Sequence, residues 1–135
     1  MDFRHLEKYQ PQLRALLRIM TALLFMEHGL AKLFHFPVPQ PGTPDPLPAL
    51  LVAAAWIEVV GGALIAVGLF TRLAAFICAG EMAVGYFMFH FPKGFWPIVN
   101  MGEGAILFCF IFFYLAAAGP GAWSLDAMRM KKPLP

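Results

Sequence analysis

Hydrophobic residues fall into four long segments, and each segment contains one glutamate. The segments cover residues 13–34, 47–70, 73–89 and 98–118. A transmembrane helix needs about 20 consecutive, mainly apolar residues, so this pattern predicts four membrane-spanning helices. We therefore expect an all-α fold: a polytopic four-transmembrane-helix bundle in which residues 1–135 form a single membrane domain.

The connections between the segments also have recognisable compositions. Residues 37–48 contain six prolines in twelve positions, which favours an extended, polyproline-like strap over a helix. The short stretch 68–72 is typical of a tight turn, so the second and third segments are predicted to form an antiparallel hairpin. The aromatic residues of 91–97 are typical of a belt at the membrane surface.

Composition and charge distribution support a membrane protein and suggest its orientation. The chain is 60% hydrophobic and 13% charged, whereas soluble domains are about 25% charged. Eight of the ten lysines and arginines precede or open the first segment, lie in the second loop or form the tail, namely Arg4, Lys8, Arg14, Arg18, Arg72, Arg129, Lys131 and Lys132. The positive-inside rule then places both termini in the cytoplasm. The net charge of +2 gives no reason to expect a nucleic-acid partner.

Several ionisable residues lie within or at the ends of the hydrophobic segments. A charged group at membrane depth costs several kcal/mol unless it is protonated, paired or hydrated, so these residues are candidates for a functional site. At about 1.5 Å per residue, most of them fall in the outer half of the membrane. We therefore predict an outward-biased polar pocket that binds a cofactor or substrate through His28, Lys32, Glu58, Glu81, His90 and Glu103.

Helical spacing divides the candidates further. His28, Lys32 and His35 share one face of their helix, with Glu27 about 100° away. Glu58 shares its face with two glycines, which allow a neighbouring helix to approach closely. We select His28 and Glu58 as the candidate catalytic pair. Glu81 and His90 are nine residues apart and point in opposite directions on an ideal helix.

Some of these residues also have structural interpretations. Glu103 follows Asn100 by three residues, which is the spacing of a helix-capping box. Lys32 can extend to the membrane surface or pair with a carboxylate, and His90 can be an interfacial residue. Cys78 and Cys109 are single and lack a CxxC spacing, so no metal site or disulfide exchange is predicted.

Six short motifs occur in a fixed order along residues 14–127. They are HGLAKLF (28–34), EVVGG (58–62), GLFTR (68–72), HFPKGFWP (90–97), NMGE (100–103) and GPGAWSLD (119–126). In order and spacing, these motifs resemble the DoxX family of small four-span bacterial membrane proteins. The resemblance implies a multi-pass protein of the bacterial inner membrane, and it implies roles for the motif residues His28, Lys32, Glu58, Arg72, His90, Glu103 and Asp126.

The resemblance also implies a direction for function. The family takes its name from a small subunit of an archaeal thiosulfate:quinone oxidoreductase, and bacterial members are linked to thiol-redox complexes. It therefore favours a quinone-linked or thiol/sulfur-redox subunit with a bound quinone as cofactor and a soluble or membrane redox partner. The alternatives are a proton-coupled carrier of small solutes, which would need a homo-oligomer to enclose enough volume, and a scaffold that recruits a soluble redox partner.

One structural hypothesis concerns the inner surface. Arg72 and Asp126 are both expected there, and we predict that they pair and hold the tail against the second loop. Ser124 is placed to cap a short helix.

Overall fold

The computed structural model describes residues 1–130, and within this range the chain is helical without a β-strand. The helices, which follow a 3₁₀ turn at Arg4–Tyr9, are α1 (Gln10–Phe34), α2 (Ala49–Val67), α3 (Thr71–Gly85), α4 (Pro97–Asn100), α5 (Glu103–Ala118) and α6 (Leu125–Arg129). The predicted all-α class is confirmed. Lys131 and Lys132, two of the eight basic residues that predict the orientation in the membrane, lie outside the described residues.

Two helical stretches are long and apolar enough to cross a membrane, judged by length and composition within residues 1–130. They are Ala49–Val67, with a mean hydropathy of 2.3, and Thr71–Lys93, with a mean hydropathy of 1.4. Helix α5 is also apolar, but it has only 16 residues. Helix α1 has 25 residues but includes two arginines, a glutamate and a lysine. Length and composition thus support two of the four predicted spans.

The third and fourth predicted segments differ from the observed helices. Helix α3 continues as a π-helical turn, Tyr86–His90, and a 3₁₀ turn, Phe91–Lys93. The prediction of one continuous helix over 98–118 is wrong, because the chain breaks after Asn100. Met101 has a left-handed backbone with φ of 61°, and the Asn100 side chain accepts a hydrogen bond from the amide of Gly102 at 2.8 Å.

The helices pack against one another in pairs. Helix α1 lies against α2, α3 against α5, and α2 against α3. Glycines allow the first of these contacts to be close: Gly29 faces the backbone of Ala55, and Gly62 faces Ala22 and Met26. The buried core between the pairs contains small and aromatic side chains, including Ala22, Ala75, Cys78, Phe25, Ile65, Phe112 and Leu115.

Arg18 holds the loop that follows α5. Its side chain is fully buried, and its guanidinium donates hydrogen bonds to the carbonyl oxygens of Pro120, of Ala122 at 3.0 Å and of Trp123 at 2.8 Å. These carbonyls lie in the loop beyond Ala118, the last residue of α5. The arginine therefore supplies hydrogen-bond donors to the loop and binds it to α1.

Two further arginines act on the last turn of α5. Arg14 donates to the carbonyl of Ala118 at 2.7 Å. Arg72, at the start of α3, donates to the carbonyls of Ala116 at 3.3 Å and of Ala117. Cations are favourable at the C-terminus of a helix because of its dipole. We call Arg14, Arg18 and Arg72 the arginine clamp.

The predicted ion pair between Arg72 and Asp126 is wrong. The carboxylate of Asp126 instead accepts hydrogen bonds from the amides of Phe70 at 2.8 Å and Thr71 at 2.9 Å. The first backbone amides of α3 have no partner within the helix, so they can donate hydrogen bonds to a carboxylate. Arg72 instead binds the carbonyls at the C-terminus of α5, where a cation is favourable. The predicted cap is confirmed, since Ser124 Oγ accepts a hydrogen bond from the amide of Ala127 at 3.0 Å.

The pKa of Asp126 reflects these contacts. Partial burial acts to raise it, but the hydrogen bonds from Thr71 and Phe70 and the charge of Arg129 together hold the pKa below its ordinary value. The ionised carboxylate is thus the form that the folded protein favours at this end of the molecule.

Substituting Gly29 by alanine should destabilise the contact between α1 and α2. A Cβ atom at this position would lie 2.6 Å from the carbonyl oxygen of Ala55, so the helices would have to separate. We expect a loss of about 1–3 kcal/mol in the free energy of unfolding, measured by denaturation in detergent. Gly80→Ala is the matched control, because a Cβ there meets no atom within 4 Å. Equal losses in both variants would contradict this packing.

Replacing Asp126 by asparagine should lower the melting temperature at neutral pH by the equivalent of about 1 kcal/mol, the usual value of a helix-capping group. The folded-state pKa lies below that of the unfolded chain, which is about 3.9. The contribution of the carboxylate is therefore complete above pH ~4 and is lost as the pH falls through the folded-state pKa. The difference in melting temperature between wild type and Asp126→Asn should consequently narrow below pH ~4. A gap that stays constant down to pH ~3 would exclude the ionised cap, and Asp45→Asn, in the exposed strap, serves as the control.

Candidate functional site

An ion pair between α1 and α2 forms the centre of the site. Lys32 Nζ donates to both carboxylate oxygens of Glu58, at 2.9 Å and 3.1 Å. Glu58 is only 1% exposed, and the Lys32 side chain is 15% exposed. Gly29, one turn before Lys32, lies against the Cβ atom of Glu58. Gly29 of α1 therefore provides the close approach that brings the lysine within reach of the carboxylate, whereas the prediction relied on the two glycines of α2, of which Gly61 faces Cys78 and Gly62 faces Met26.

Helix α3 adds a second carboxyl group. Glu81 lies within electrostatic range of both Glu58 and Lys32. Its Oε2 atom is buried and has no hydrogen-bond donor among residues 1–130. The thiol of Cys78, one turn earlier, lies near the same two carboxyl groups. Three helices thus contribute one cation and two carboxyl groups to a single polar group, which we call the charge cluster (Lys32, Glu58 and Glu81).

His28 lies one helical turn from Lys32 and borders an open cleft. Its ring meets the ring of Phe108 on α5 edge to face, with centroids 5.8 Å apart. The cleft has a volume of about 230 Å³ and is formed between α1 and the proline strap, with a lining of Glu27, His28, Ala31 and residues 37–41. His28 is therefore accessible from this cleft, whereas the residues of the charge cluster are not among those that line it.

His90 belongs to a different network. Its Nδ1 atom lies 3.0 Å from the carbonyl oxygen of Asn100, and its ring stacks on Tyr86. Asn100 is fully buried and donates to the hydroxyl of Tyr86 at 3.1 Å and to the carbonyl of Gly94 at 2.9 Å. These contacts hold the turn between α3 and α5, and His90 faces that turn.

Glu103 also stands apart. It is exposed in the first turn of α5, where a carboxylate is favourable because of the helix dipole. The capping box expected from Asn100 and Glu103 does not form, since the N-cap residue is Gly102 and makes no side-chain cap. Asn100 binds the Gly102 amide instead, which is one residue too early for a capping box.

Of the six predicted site residues, the structure brings Lys32, Glu58 and Glu81 together and places His28 beside the cleft. His35 does not extend the stripe of His28 and Lys32, because it follows the end of α1 in a left-handed conformation with φ of 53°. No group of three potential metal ligands occurs within residues 1–130.

Gln40 is a lining residue that sequence reasoning missed. It lies in the strap between two prolines and contributes to the cleft. Its Oε1 atom is buried and meets no donor in the part of the chain that the structure describes. A long amide side chain within a proline-rich strap was the available signal, but only the fold shows that the strap covers α1.

Replacing Lys32 by methionine should leave Glu58 buried without its cation. Breaking such a pair costs about 3–5 kcal/mol, whereas replacing both partners by apolar residues is often nearly neutral. We therefore expect Lys32→Met to be strongly destabilised and the double variant Lys32→Met/Glu58→Met to recover most of the loss in the free energy of unfolding. Lys93→Met, at an exposed position, is the control. A double variant no more stable than Lys32→Met would show that the two residues do not act as a pair.

Comparison with known proteins identifies relatives and a family for this chain. A protein of Haemophilus influenzae described only as uncharacterized is 47% identical over 133 residues, covering 95% of this chain and 98% of its own length. The inner membrane protein YqjF of Escherichia coli is 33% identical over 131 residues, covering 85% of this chain and 90% of its own length. No solved structure matches this chain. The sequence model of the DoxX family matches residues 13–91. The chain therefore belongs to the DoxX family of membrane proteins.

Proposed function

We propose that this protein is a quinone-binding subunit of a membrane redox system. The cleft beside His28 would hold the polar ring of the quinone, and the neighbouring charge cluster would exchange protons. One observation carries the proposal: a histidine that borders an open cleft lies a single helical turn from a buried ion pair with a second carboxyl group beside it.

The proposal includes the arrangement in the membrane. We place α1, α2, α3 and α5 across the bacterial inner membrane, with both termini in the cytoplasm. The charges of Arg18 and Lys32 in α1 are compatible with this arrangement because their partners are supplied internally: Arg18 binds backbone carbonyls, and Lys32 binds Glu58. Polar groups at membrane depth require such internal partners.

The dimensions of the cleft suit part of a quinone. Sites for small molecules of ordinary size have volumes of about 300–1,000 Å³, and the cleft is smaller at about 230 Å³. It therefore suits one ring, while an isoprenoid tail would extend into the surrounding lipid. Ala31 and the prolines of the strap supply apolar surface at the ring position.

The side chains provide the necessary proton chemistry. A bound quinone would supply the transfer of two electrons together with two protons. A histidine can donate a hydrogen bond to a carbonyl oxygen through one ring nitrogen and accept one through the other. His28 can therefore orient the ring and pass a proton inward or outward. In the charge cluster, Lys32 balances the charge of one carboxylate, and a proton on the second carboxyl group would balance the remaining charge.

Electrons must come from another protein. We propose a soluble or membrane redox partner as their source, and a homo-oligomer as the functional form, because one small bundle presents little surface on which to hold both quinone and partner.

Bound quinone provides the test. The protein is purified from membranes in detergent and extracted with organic solvent, and quinone is quantified for wild type, His28→Ala, Glu58→Gln and the control His5→Ala, which alters an exposed histidine. We expect bound quinone in wild type and control and a loss of about tenfold in His28→Ala. A smaller loss is expected in Glu58→Gln, because Glu58 does not line the cleft.

Two results would contradict the proposal. Equal quinone in wild type and His28→Ala would remove the cleft from the binding site. Absence of quinone, together with proton-driven solute uptake by proteoliposomes, would instead support the proton-coupled carrier.

A further inference from the structure

A second groove lies at the end of α1 that is opposite to the charge cluster. It has a volume of about 260 Å³ and runs between α1 and α5, with a lining of Gln10, Leu13, Arg14, Leu17 and Tyr114. The four residues of α1 follow the spacing i, i+3, i+4 and i+7, so they form one face of the helix. Except for Arg14, which is partly buried, these side chains are exposed on the outside of the bundle. The groove therefore opens sideways, towards the lipid in the membrane arrangement proposed above.

The groove is polar at one end and apolar at the other. Arg14 donates a hydrogen bond to the carbonyl of Ala118, the last residue of α5. Tyr114 precedes Ala118 by one helical turn, so its ring lies further from this end of the bundle. Along α1, Leu17 follows Gln10 by seven residues, or about 10 Å. An amide and a guanidinium thus mark the end near the N-terminus, and a leucine and an aromatic ring follow towards the middle of the bundle.

Arg14 is the one charged residue among the five that line the groove. Its Nη1 atom lies 2.7 Å from the carbonyl oxygen of Ala118, and this contact holds the guanidinium at the polar end. A guanidinium has five N–H donors and can bind a phosphate group through two of them at once. None of the five lining residues has a carboxylate, and the charges of Glu7 and Lys8 in the preceding turn offset each other. The groove therefore favours an anion and offers no partner for an ammonium group.

We propose that this groove binds a phospholipid whose headgroup carries a net negative charge. The phosphate accepts hydrogen bonds from Arg14 and Gln10. The first part of an acyl chain lies along Leu13, Leu17 and the ring of Tyr114. Basic pockets between transmembrane helices on the cytoplasmic side are typical sites for such lipids. The inference rests on the proposed arrangement in the membrane but not on the proposed quinone, because the groove is separate from the cleft under the proline strap.

The charge of the headgroup decides between phospholipids. A zwitterionic lipid has the same phosphate as an anionic one, but its ammonium group would find no acidic side chain in the lining of the groove. The apolar end of the groove distinguishes a lipid from a free phosphate ester, since every CH₂ group that becomes buried adds to the affinity. Both preferences can be measured on the isolated protein.

Three probes test the proposal on the purified full-length protein. After bound lipid has been removed in detergent, native mass spectrometry gives the dissociation constants of phosphatidylglycerol and of phosphatidylethanolamine with identical acyl chains. The third probe, glycerophosphoglycerol, is the anionic headgroup without acyl chains. We expect wild type to bind phosphatidylglycerol about fivefold more tightly than phosphatidylethanolamine, the value typical of one basic residue near an anionic headgroup. The soluble headgroup should bind about tenfold more weakly than phosphatidylglycerol, or weaker still.

Two exposed glutamines provide a matched pair of variants. Gln10→Glu adds a negative charge to the groove, whereas Gln12→Glu adds the same charge on a side of α1 that does not line it. Acidic residues are favourable in the first turn of a helix, so both variants should fold like wild type. Gln10→Glu should reduce the preference for phosphatidylglycerol by about threefold or more, the scale of an interaction between two exposed charges. Gln12→Glu should keep the wild-type preference.

Arg14→Gln removes the positive charge but keeps a side-chain amide that can donate a hydrogen bond. It should reduce the preference by about threefold or more, since a single basic residue supplies it. Arg129→Gln is the control, because it removes an exposed cation at the same end of the molecule but outside the groove. Melting temperatures are measured for all four variants. If Arg14→Gln does not fold, the comparison of Gln10→Glu with Gln12→Glu decides the question.

Three results would overturn the proposal. Equal affinity of wild type for the two phospholipids would remove the preference for a negative headgroup. A preference that Gln10→Glu leaves unchanged would place the lipid elsewhere on the protein. Glycerophosphoglycerol bound as tightly as phosphatidylglycerol would make the groove a site for a free phosphate ester rather than for a lipid. Because no quinone takes part in these measurements, their outcome is independent of the proposed function.

Discussion

The ion pair between Lys32 and Glu58 is the interaction on which the site depends. A buried carboxylate in an apolar bundle needs a partner, and that partner must come from another helix. Lys32 reaches Glu58 because Gly29 allows α1 to lie directly against the backbone of α2. Gly29 and the ion pair therefore act together to fix the rotation of α1. That rotation also turns His28 towards Phe108 and the cleft.

The arginine clamp meets the same requirement at the other end of α1. Here the groups that need partners are backbone carbonyls of the loop after α5, and Arg18 supplies several donors from one planar guanidinium. A lysine would not replace it well, because its ammonium is a compact charge without the planar fork of donors. With Lys32 at one end and Arg18 at the other, α1 is tied to α2 and to the loop after α5. These contacts provide partners for most of the charged side chains of α1. On composition alone, the helix would be judged too polar to span a membrane.

The sequence was sufficient for the first three long helices but not for the contacts between them. Long apolar segments marked α1, α2 and α3 to within a few residues, because burial or lipid contact requires them to be apolar. Predicting which side chains contact each other requires the rotation and the axial position of each helix relative to its neighbours. The sequence of a single segment does not contain this information. Thus Arg72 was assigned to Asp126 on the grounds of opposite charge, whereas free carbonyls and free amides at the helix ends attract each of them more strongly. The break at Asn100 was missed for the same reason, since its side chain is satisfied by residues from two neighbouring turns.

The arginine clamp and the charge cluster differ in the chemistry of their partners. The partners of Arg18 are carbonyl oxygens, which cannot change charge, so the arginine clamp is the same at every pH near neutrality. The partners of Lys32 are carboxyl groups, which can gain and lose protons, and Glu81 gives the charge cluster one carboxyl group more than its cation can balance. A structural ion pair would need only one carboxylate. The Oε2 atom of Glu81 is buried without a hydrogen-bond donor among residues 1–130, so this end of the bundle holds one carboxyl group more than the ion pair requires.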